Sequence, residues 1–124
     1  DVVLVDAPCT GLGAMRRKPD TRWRLEPGDP ERFAALQRQL VARFARLVRP
    51  GGRLVYATCS VLRAENDEVA AFAAGLPGLA PFPLARTLGE DRAREIGVEG
   101  HLLRLWPHRH GTDGFFAAAF GRGG

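Results

Sequence analysis

Two cysteines are the residues of this chain best suited to do chemistry. Cys9 follows the apolar run Val2 to Val5, and Cys59 follows a second apolar run, Gly52 to Tyr56. Side chains that follow parallel strands meet at the carboxyl edge of a sheet, where open α/β folds bind ligands. A thiol at such an edge can act as a nucleophile, with the second thiol free to move a proton. We therefore expect both thiols and the carboxylate of Asp6 to converge on one site.

Other roles for the two thiols stay open on the residues alone. Free cysteine is among the most buried residue types, so either thiol can be an inert part of the core. The thiols can also form a redox pair, although the chain has no CxxC motif. Two cysteines cannot build a disulfide framework, and no Cys/His cluster has the spacing of a metal site. His108 and His110 lack a third ligand at useful spacing, so we expect loop residues there and no metal.

The elements between the cysteines must bring the two thiols together. The run Val2 to Val5 predicts a central strand that is buried on both faces. A helix is predicted from Asp29, as the cap before Pro30, to about Arg49. Its apolar face is predicted to comprise Phe33, Leu36, Leu40, Phe44, Leu47 and Val48. A strand, helix, strand unit implies a right-handed crossover with parallel strands, so both cysteines should lie at the same edge.

The later part of the chain predicts one more helix and three more strands. The helix should begin soon after Cys59, at about Val61, and run to Ala74 with Gly75 as its cap. Its N-terminal end would then help to hold a thiolate. The segment from Leu76 to Gly100 is predicted to be largely irregular. The strands are a short one near Ala80 to Leu84 and an antiparallel hairpin of His101 to Trp106 and Gly114 to Phe120.

The charge of the chain indicates an anionic partner. The net charge is +4 with a pI near 10.0, and Lys18 is the only lysine among the basic residues. The most basic segment, Met15 to Arg24, combines arginines with Trp23, as a site for single-stranded RNA would. The alternatives are an arginine-rich genome and a solvated connection with the tryptophan tucked into the core.

The length of 124 residues suits one domain but is short for a complete doubly wound enzyme. The chain opens at Asp1 directly on a strand, without Met, so we expect a piece of a longer protein. It contains no run of about 18 apolar residues and no signal peptide. The default expectation is a soluble, cytoplasmic protein.

Four strings of the sequence resemble one enzyme family. They are DAPCTGLG at Asp6 to Gly13, RRKPDTRW at Arg16 to Trp23, GGRLVYATCSVLRAEND at Gly51 to Asp67 and HGTDGFF at His110 to Phe116. Together, in this order and over most of the chain, they resemble the RNA cytosine-C5 methyltransferases of the Sun/Fmu type. Within that family the likeness is to RsmB-like members, which act on 16S ribosomal RNA.

The resemblance implies an α/β fold, namely the C-terminal half of a Rossmann-like methyltransferase that depends on S-adenosylmethionine. This chain would supply parallel strands four and five and a terminal antiparallel hairpin. The family's glycine-rich cofactor loop and ribose-binding acidic residue belong to the first half, which is absent here. Asp6 is the one position that matches a residue of the family's cofactor site. Residues 1–124 are therefore expected to be the C-terminal portion of the catalytic domain and to be inactive alone.

The resemblance also implies a mechanism and the residues that carry it. Cys59 matches the family's nucleophile, whose thiolate adds to cytosine C6 so that C5 can attack the cofactor's methyl group. Cys9 matches the cysteine that assists release after transfer, and Asp6 would hydrogen-bond the base. A paired base cannot be reached, so the target must be single-stranded or flipped out. The residues expected at the RNA substrate are Pro8, which shapes the turn beside the base, Arg16, Arg17 and Trp23.

Departures from the family pattern are small. Thr10 stands where serine is common, and Leu12 stands where a small residue is frequent. Three alternatives remain: the same chemistry on transfer RNA, a non-catalytic RNA-binding module of the same fold, and a redox sensor. The first strand is also expected to leave an unpaired edge.

Overall fold

The computed structural model describes residues 1–12, 26–106 and 114–123. Its strands are β1 (Val2–Asp6), β2 (Arg53–Thr58), β3 (Leu79–Pro81), β4 (Leu102–Leu105) and β5 (Phe115–Arg122). Its helices are α1 (Asp29–Ala45), α2 (Asp67–Ala74), α3 (Ala85–Leu88) and α4 (Glu90–Ile96). Three predicted site residues, Arg16, Arg17 and Trp23, lie outside the described residues. The pair His108 and His110 lies outside them as well.

The strands form one mixed sheet. β1 runs parallel to β2, with Asp6 opposite Ala57, which confirms the predicted parallel pair. β4 and β5 are antiparallel, so the predicted hairpin pairing is confirmed as well. β5 also lies antiparallel against β2 over the whole of that strand. On its other side, the first part of β5 pairs with β4 and the last part pairs with β3. The insertion of β5 beside β2 was not predicted.

One apolar cluster fills the space between the sheet and helices α1 and α2. Leu54 and Tyr56 of β2 are fully buried, whereas Arg53 before them and Val55 between them are only half-buried. Because successive side chains of a strand point to opposite faces, this alternation gives β2 one core face. The other buried members of the cluster are Val5, Ala7, Val41, Ala45, Val48, Val69, Ala70, Ala73, Leu79, Phe116, Ala118 and Phe120.

Helix α1 differs from its prediction at the cap, the end and the buried face. Gly28 occupies the N-cap position, and the Asp29 carboxylate instead accepts a hydrogen bond from the Glu26 amide. The helix ends at Ala45 rather than near Arg49. The residues buried along it are Asp29, Ala34, Gln37, Val41 and Ala45, whereas Leu36 and Leu47 are exposed. The prediction followed the bulky residues, but the small residues Ala34 and Ala45 lie on the buried face, while Leu40 and Phe44 pack against the core and are only partly buried.

The prediction that β1 is buried on both faces was wrong. Val2 and Leu4 are each 64% exposed, while Val5 is buried. Helix α1 packs against β1 on the side of Val5, and no described element covers the opposite side. β2 is the strand that pairs with β1 among the described residues, which agrees with the expected unpaired edge.

The segment after β2 also differs in detail. Helix α2 begins at Asp67 rather than near Val61, and it ends at Ala74 with Gly75 at its C-cap, as predicted. The segment expected to be irregular contains β3, α3 and α4. Gly89 and Gly97, both with positive φ, delimit α4, so these glycines bound a helix rather than a loop. None of the described helices is long and apolar enough to cross a membrane.

Candidate active site

The two thiols lie in contact at the carboxyl edge of the sheet. Cys9 follows β1 and Cys59 follows β2, and their sulfur atoms are 3.3 Å apart. This separation is a thiol hydrogen bond, since a disulfide would bring the sulfur atoms to about 2.05 Å. Both cysteines are free, with Cys9 half-buried and Cys59 exposed. The predicted convergence of the thiols is therefore found, and the exposure of Cys59 argues against an inert core role for it.

The contact makes the two thiols electrostatically unequal. The hydrogen bond from Cys9 and, to a smaller extent, a backbone hydrogen bond of Cys59 itself lower the pKa of the Cys59 thiol to about 6. Partial burial and the negative charges of Asp6 and Glu65 oppose this shift. The same hydrogen bond and burial raise the pKa of Cys9 above its ordinary value. The contact therefore favours the thiolate at Cys59 and the protonated donor at Cys9.

The predicted source of this stabilisation was wrong. A helix N-terminus was expected directly after Cys59, but α2 begins only at Asp67, after a series of turns. The turns form because Ser60 and Glu65 are buried and hydrogen-bonded to each other. The neighbouring thiol therefore takes the role that the helix dipole was expected to have.

Asp6 is the carboxylate of this site. It is the last residue of β1, and its side chain is exposed at the same edge as the thiols. Its charge contributes to the pKa of Cys59, which places the two groups within electrostatic reach. The predicted grouping of Asp6 with both cysteines is found.

Glu65 organises the loops of the site, and the sequence analysis missed this role. Its side chain is fully buried. The carboxylate accepts hydrogen bonds from the Thr10 amide and the Thr10 hydroxyl, both at 2.8 Å, and from the Ser60 hydroxyl. The sequence analysis placed Glu65 in the first turns of a helix, where the helix dipole favours an acidic residue. No local feature therefore predicted that Glu65 is buried.

Gln37 of α1 is the second residue that sequence reasoning missed. Its Nε2 donates hydrogen bonds to the Pro8 carbonyl oxygen at 2.8 Å and to Glu65 at 3.2 Å. Gln37 is fully buried, and its Oε1 has no hydrogen-bond partner in the described part of the chain. Gln37 lies three residues after Ala34 and four before Val41, which places it on the same helix face as these apolar residues. This spacing could have indicated its role, because a polar residue on a buried helix face needs hydrogen-bond partners.

Further hydrogen bonds hold the loop that carries Cys59. The Thr58 hydroxyl donates to the side-chain Oδ1 of Asn66 at 2.6 Å, and the side-chain Nδ2 of Asn66 donates to the Ser60 carbonyl oxygen at 2.9 Å. The Ser60 amide in turn donates to the Thr58 hydroxyl oxygen at 3.2 Å. Thr58, Ser60 and Asn66, all three buried, therefore form a hydrogen-bonded network around Cys59, which is itself exposed.

Pro8 lies in the turn between Asp6 and Cys9, and its own side chain is exposed. The hydrogen bond from Gln37 to the Pro8 carbonyl fixes this turn against α1. No group of three or more His, Cys, Asp or Glu side chains that could hold a metal occurs within residues 1–12, 26–106 and 114–123.

Residues 1–121 match the family described as 16S rRNA methyltransferase RsmB/F. The chain belongs to the RsmB/F family. The protein Rv1407 of Mycobacterium tuberculosis is 51% identical over 123 residues, which are 98% of this chain and 26% of that protein. Ribosomal RNA small subunit methyltransferase B of Thermus thermophilus is 41% identical over 121 residues, which are 97% of this chain and 29% of that protein.

The fold agrees with RsmB/F membership. The crystal structure of NSun6 from Pyrococcus horikoshii, solved with SFG, matches 96% of this chain and 29% of its own at 29% identity and a TM-score of 0.72. The predicted fold class, part of a methyltransferase of the Rossmann-like α/β type, is confirmed. The chain spans about a quarter of the length of the curated relatives it matches.

Proposed function

We propose that the protein containing this chain transfers a methyl group from S-adenosylmethionine to cytosine C5 of RNA, with 16S ribosomal RNA in the cytoplasm as its substrate. One observation carries the proposal. Two free thiols lie 3.3 Å apart at the carboxyl edge of the sheet, with the exposed one, Cys59, as the stronger acid. Membership of the RsmB/F family supports RNA as the substrate.

In the first step the Cys59 thiolate adds to C6 of the cytosine. The new S–C6 bond makes C5 enamine-like, and C5 would then bond to the methyl group as the methyl–sulfonium bond breaks and the demethylated cofactor leaves as a neutral thioether. The lowered pKa of Cys59, to about 6, means that no separate base is needed to generate the nucleophile near neutral pH. The exposure of Cys59 leaves its sulfur open to a base that has been flipped out of its stack.

In the second step the C5 proton leaves and the S–C6 bond breaks, which returns the Cys59 thiolate. Cys9 assists this release. Its pKa is raised chiefly by the hydrogen bond to Cys59, and that cause disappears while Cys59 is bound to carbon as a thioether. Without that bond the pKa of Cys9 falls, Cys9 can lose its own proton to solvent, and the resulting thiolate can accept the C5 proton.

The residues present fit part of a binding site for the cofactor, which supplies an electrophilic methyl group when it is bound. The Asp6 carboxylate is exposed at the carboxyl end of β1, beside the thiols. A carboxylate in this place can accept hydrogen bonds from the cofactor or the base and can offset developing positive charge. The relative solved with SFG supports a cofactor of this type.

Substrate contacts are assigned by the family resemblance. Pro8 would shape the turn beside the base, and Arg16, Arg17 and Trp23, which lie outside the described residues, would bind the RNA. Transfer RNA remains an alternative substrate, and a non-catalytic RNA-binding role remains an alternative function. Residues 1–124 would form the C-terminal portion of the catalytic domain, and the coverage of about a quarter of the relatives supports this. We accordingly expect no methyl transfer from the isolated chain, and measurable transfer by it would contradict this.

The test compares Cys9→Ala with Cys59→Ala in the whole protein, including any sequence that flanks these residues. Each variant is given a cofactor with a labelled methyl group and ribosomal RNA, and transfer and covalent protein–RNA adduct are measured. We expect the Cys9 variant to trap adduct and the Cys59 variant to give neither adduct nor product. Methylation by both variants would exclude the two-thiol mechanism. Transfer RNA in place of ribosomal RNA tests the alternative substrate.

The thiol contact also favours a second function, redox sensing. Closing the sulfur separation from 3.3 Å to a disulfide of about 2.05 Å needs only a small movement. Hydrogen peroxide would take two electrons from the two thiols and become water, and the disulfide would block the nucleophile. A Cys9–Cys59 disulfide that forms under mild peroxide and is reversed by dithiothreitol would support this function. Thiols that stay reduced under these conditions would exclude it.

A further inference from the structure

One buried carboxylate binds the residue that follows each cysteine. Glu65 accepts two hydrogen bonds at 2.8 Å from Thr10, which follows Cys9, and another from Ser60, which follows Cys59. Two chain segments that are 50 residues apart in sequence are thereby joined through a single side chain. Each segment is held by the residue next to its cysteine, so the joint is one residue away from both Cys9 and Cys59.

This joint restricts the sulfur atoms because cysteine is short. The Thr10 amide that donates to Glu65 belongs to the same planar peptide unit as the Cys9 carbonyl, so the bond orients the backbone at Cys9. The Ser60 hydroxyl restrains the other segment one residue after Cys59. With only one side-chain torsion before each sulfur, the separation of the sulfur atoms follows the separation of the two backbones.

The chemistry of the donors calls for a carboxylate rather than an amide. The groups described around Glu65 are the Thr10 amide and hydroxyl, the Ser60 hydroxyl and the Gln37 amide, and in the structure all of them donate to it. A carboxylate accepts from all of them at once, whereas a glutamine that kept its oxygen toward the two amides would place NH₂ at Oε2, and the Thr10 and Ser60 hydroxyl hydrogens would lose their acceptor.

We propose that Glu65 is a positioning residue that sets the separation of the Cys9 and Cys59 thiols by holding Thr10 and Ser60. The inference rests on the proposed function for its catalytic consequence, but the thiol geometry can be measured without RNA or cofactor. Glu65 touches neither sulfur in the proposed mechanism and acts through the two loops.

The direction in which the pKa of Cys59 changes when Glu65 is replaced distinguishes a positioning role from a purely electrostatic one. The groups that face Cys59 are Cys9 and Asp6 at the end of β1 and Glu65 in the loop after β2. The bond from Cys9 is the largest cause of the lowered pKa of Cys59, and the charge of Glu65 weakly opposes it. Loss of the charge alone would lower the pKa of Cys59 further. Loss of the thiol contact would raise it.

The experiment measures alkylation of Cys59 by iodoacetamide as a function of pH in the whole protein. The variant is Glu65→Gln, and the control is Glu68→Gln, which removes an exposed carboxylate from α2. We expect the alkylation midpoint to rise in Glu65→Gln and to stay at about 6 in the control. Methyl transfer should fall on the order of 100-fold, as displacement of a reacting group by about 1 Å can cause. A midpoint that falls or does not move in Glu65→Gln would overturn the proposal.

A second pair of variants covers the case in which Glu65→Gln does not fold. Thr10→Val removes the hydroxyl at almost constant shape, and Thr10→Ser retains it. The valine variant should raise the midpoint and the serine variant should restore the wild-type value. Equal midpoints for valine and wild type would refute positioning through Thr10. If wild type shows the low midpoint but transfers no methyl group, the proposed function fails and the positioning role stands.

Discussion

The hydroxyl of Tyr56 donates a hydrogen bond to the backbone carbonyl oxygen of Glu65 across a distance of 2.6 Å. Tyr56 is fully buried in β2, and its ring also lies edge-on to Phe116 of β5. The bond therefore connects the centre of the sheet to the loop that holds the two thiol segments together. Disturbing this bond should affect both stability and the site.

The variant Tyr56→Phe should lower the free energy of unfolding by about 1–3 kcal/mol, because the buried Glu65 carbonyl loses its described side-chain donor. Urea unfolding of the whole protein measures the change. Thr87→Val serves as the control, because it removes a hydroxyl on α3 whose hydrogen bond, accepted from Arg53 at 3.3 Å, is exposed to solvent. An unfolding free energy equal to wild type in Tyr56→Phe would mean that water replaces the lost bond.

Stability should also fall at alkaline pH because of Tyr56. Burial, with smaller effects from the charges of Glu65 and Cys9, raises the pKa of Tyr56 above its ordinary value of 10.0. A raised pKa in the folded state means that the folded protein holds the proton more tightly than the unfolded chain. The contribution of Tyr56 to the free energy of unfolding is therefore complete below about pH 10 and is lost as the pH rises further. The difference in urea midpoint between wild type and Tyr56→Phe should therefore shrink above this pH, and a constant difference would count against the assignment.

The acidity of Cys59 should depend on the donor at position 9. Cys9→Ala removes the largest cause of the lowered pKa of Cys59, so the pH midpoint of its alkylation should rise well above about 6. Cys9→Ser retains a hydroxyl donor and should keep a lower midpoint than the alanine variant. Mass spectrometry of the modified peptide gives the rates. Identical midpoints for wild type and Cys9→Ala would show that the backbone, not the neighbouring thiol, stabilises the thiolate.

The buried side of α1 can be tested with two apolar residues of that region. Val41 is fully buried, whereas Leu47, just after the helix, is 65% exposed. Val41→Ala should cost about 2–3 kcal/mol through lost burial and the cavity left behind. Leu47→Ala should change stability by no more than about 0.5 kcal/mol, as surface substitutions usually do. Equal losses in urea unfolding of the whole protein would indicate that flanking sequence covers Leu47.

Local sequence was sufficient for the framework of the site. Apolar runs followed directly by Asp6, Cys9 and Cys59 predicted parallel strands with these side chains at one edge, and the register of β1 with β2 agrees. This succeeds because parallel strands joined by a helix have few ways to connect. The roles of the residues came from four family motifs, which no periodicity could supply.

Local sequence was not sufficient to predict which side chains are buried, because burial depends on segments that are distant in the chain. The apolar residues of α1 did not reveal that Ala34 and Ala45, rather than Leu36 and Leu47, lie against the core. The continuous apolar run of β1 could not show that Leu4 is uncovered, because burial depends on what packs above a strand.

The sequence by itself determined the two thiols, the strands that end beside them and the family to which they belong. Only the tertiary structure decided that Cys9 lies 3.3 Å from Cys59 and lowers its pKa, and that Glu65 joins the two loops behind them. The physical reason is that acidity and hydrogen bonding depend on distances of a few ångströms between atoms. Residues 50 or more apart in the chain acquire such distances only when the sheet has formed.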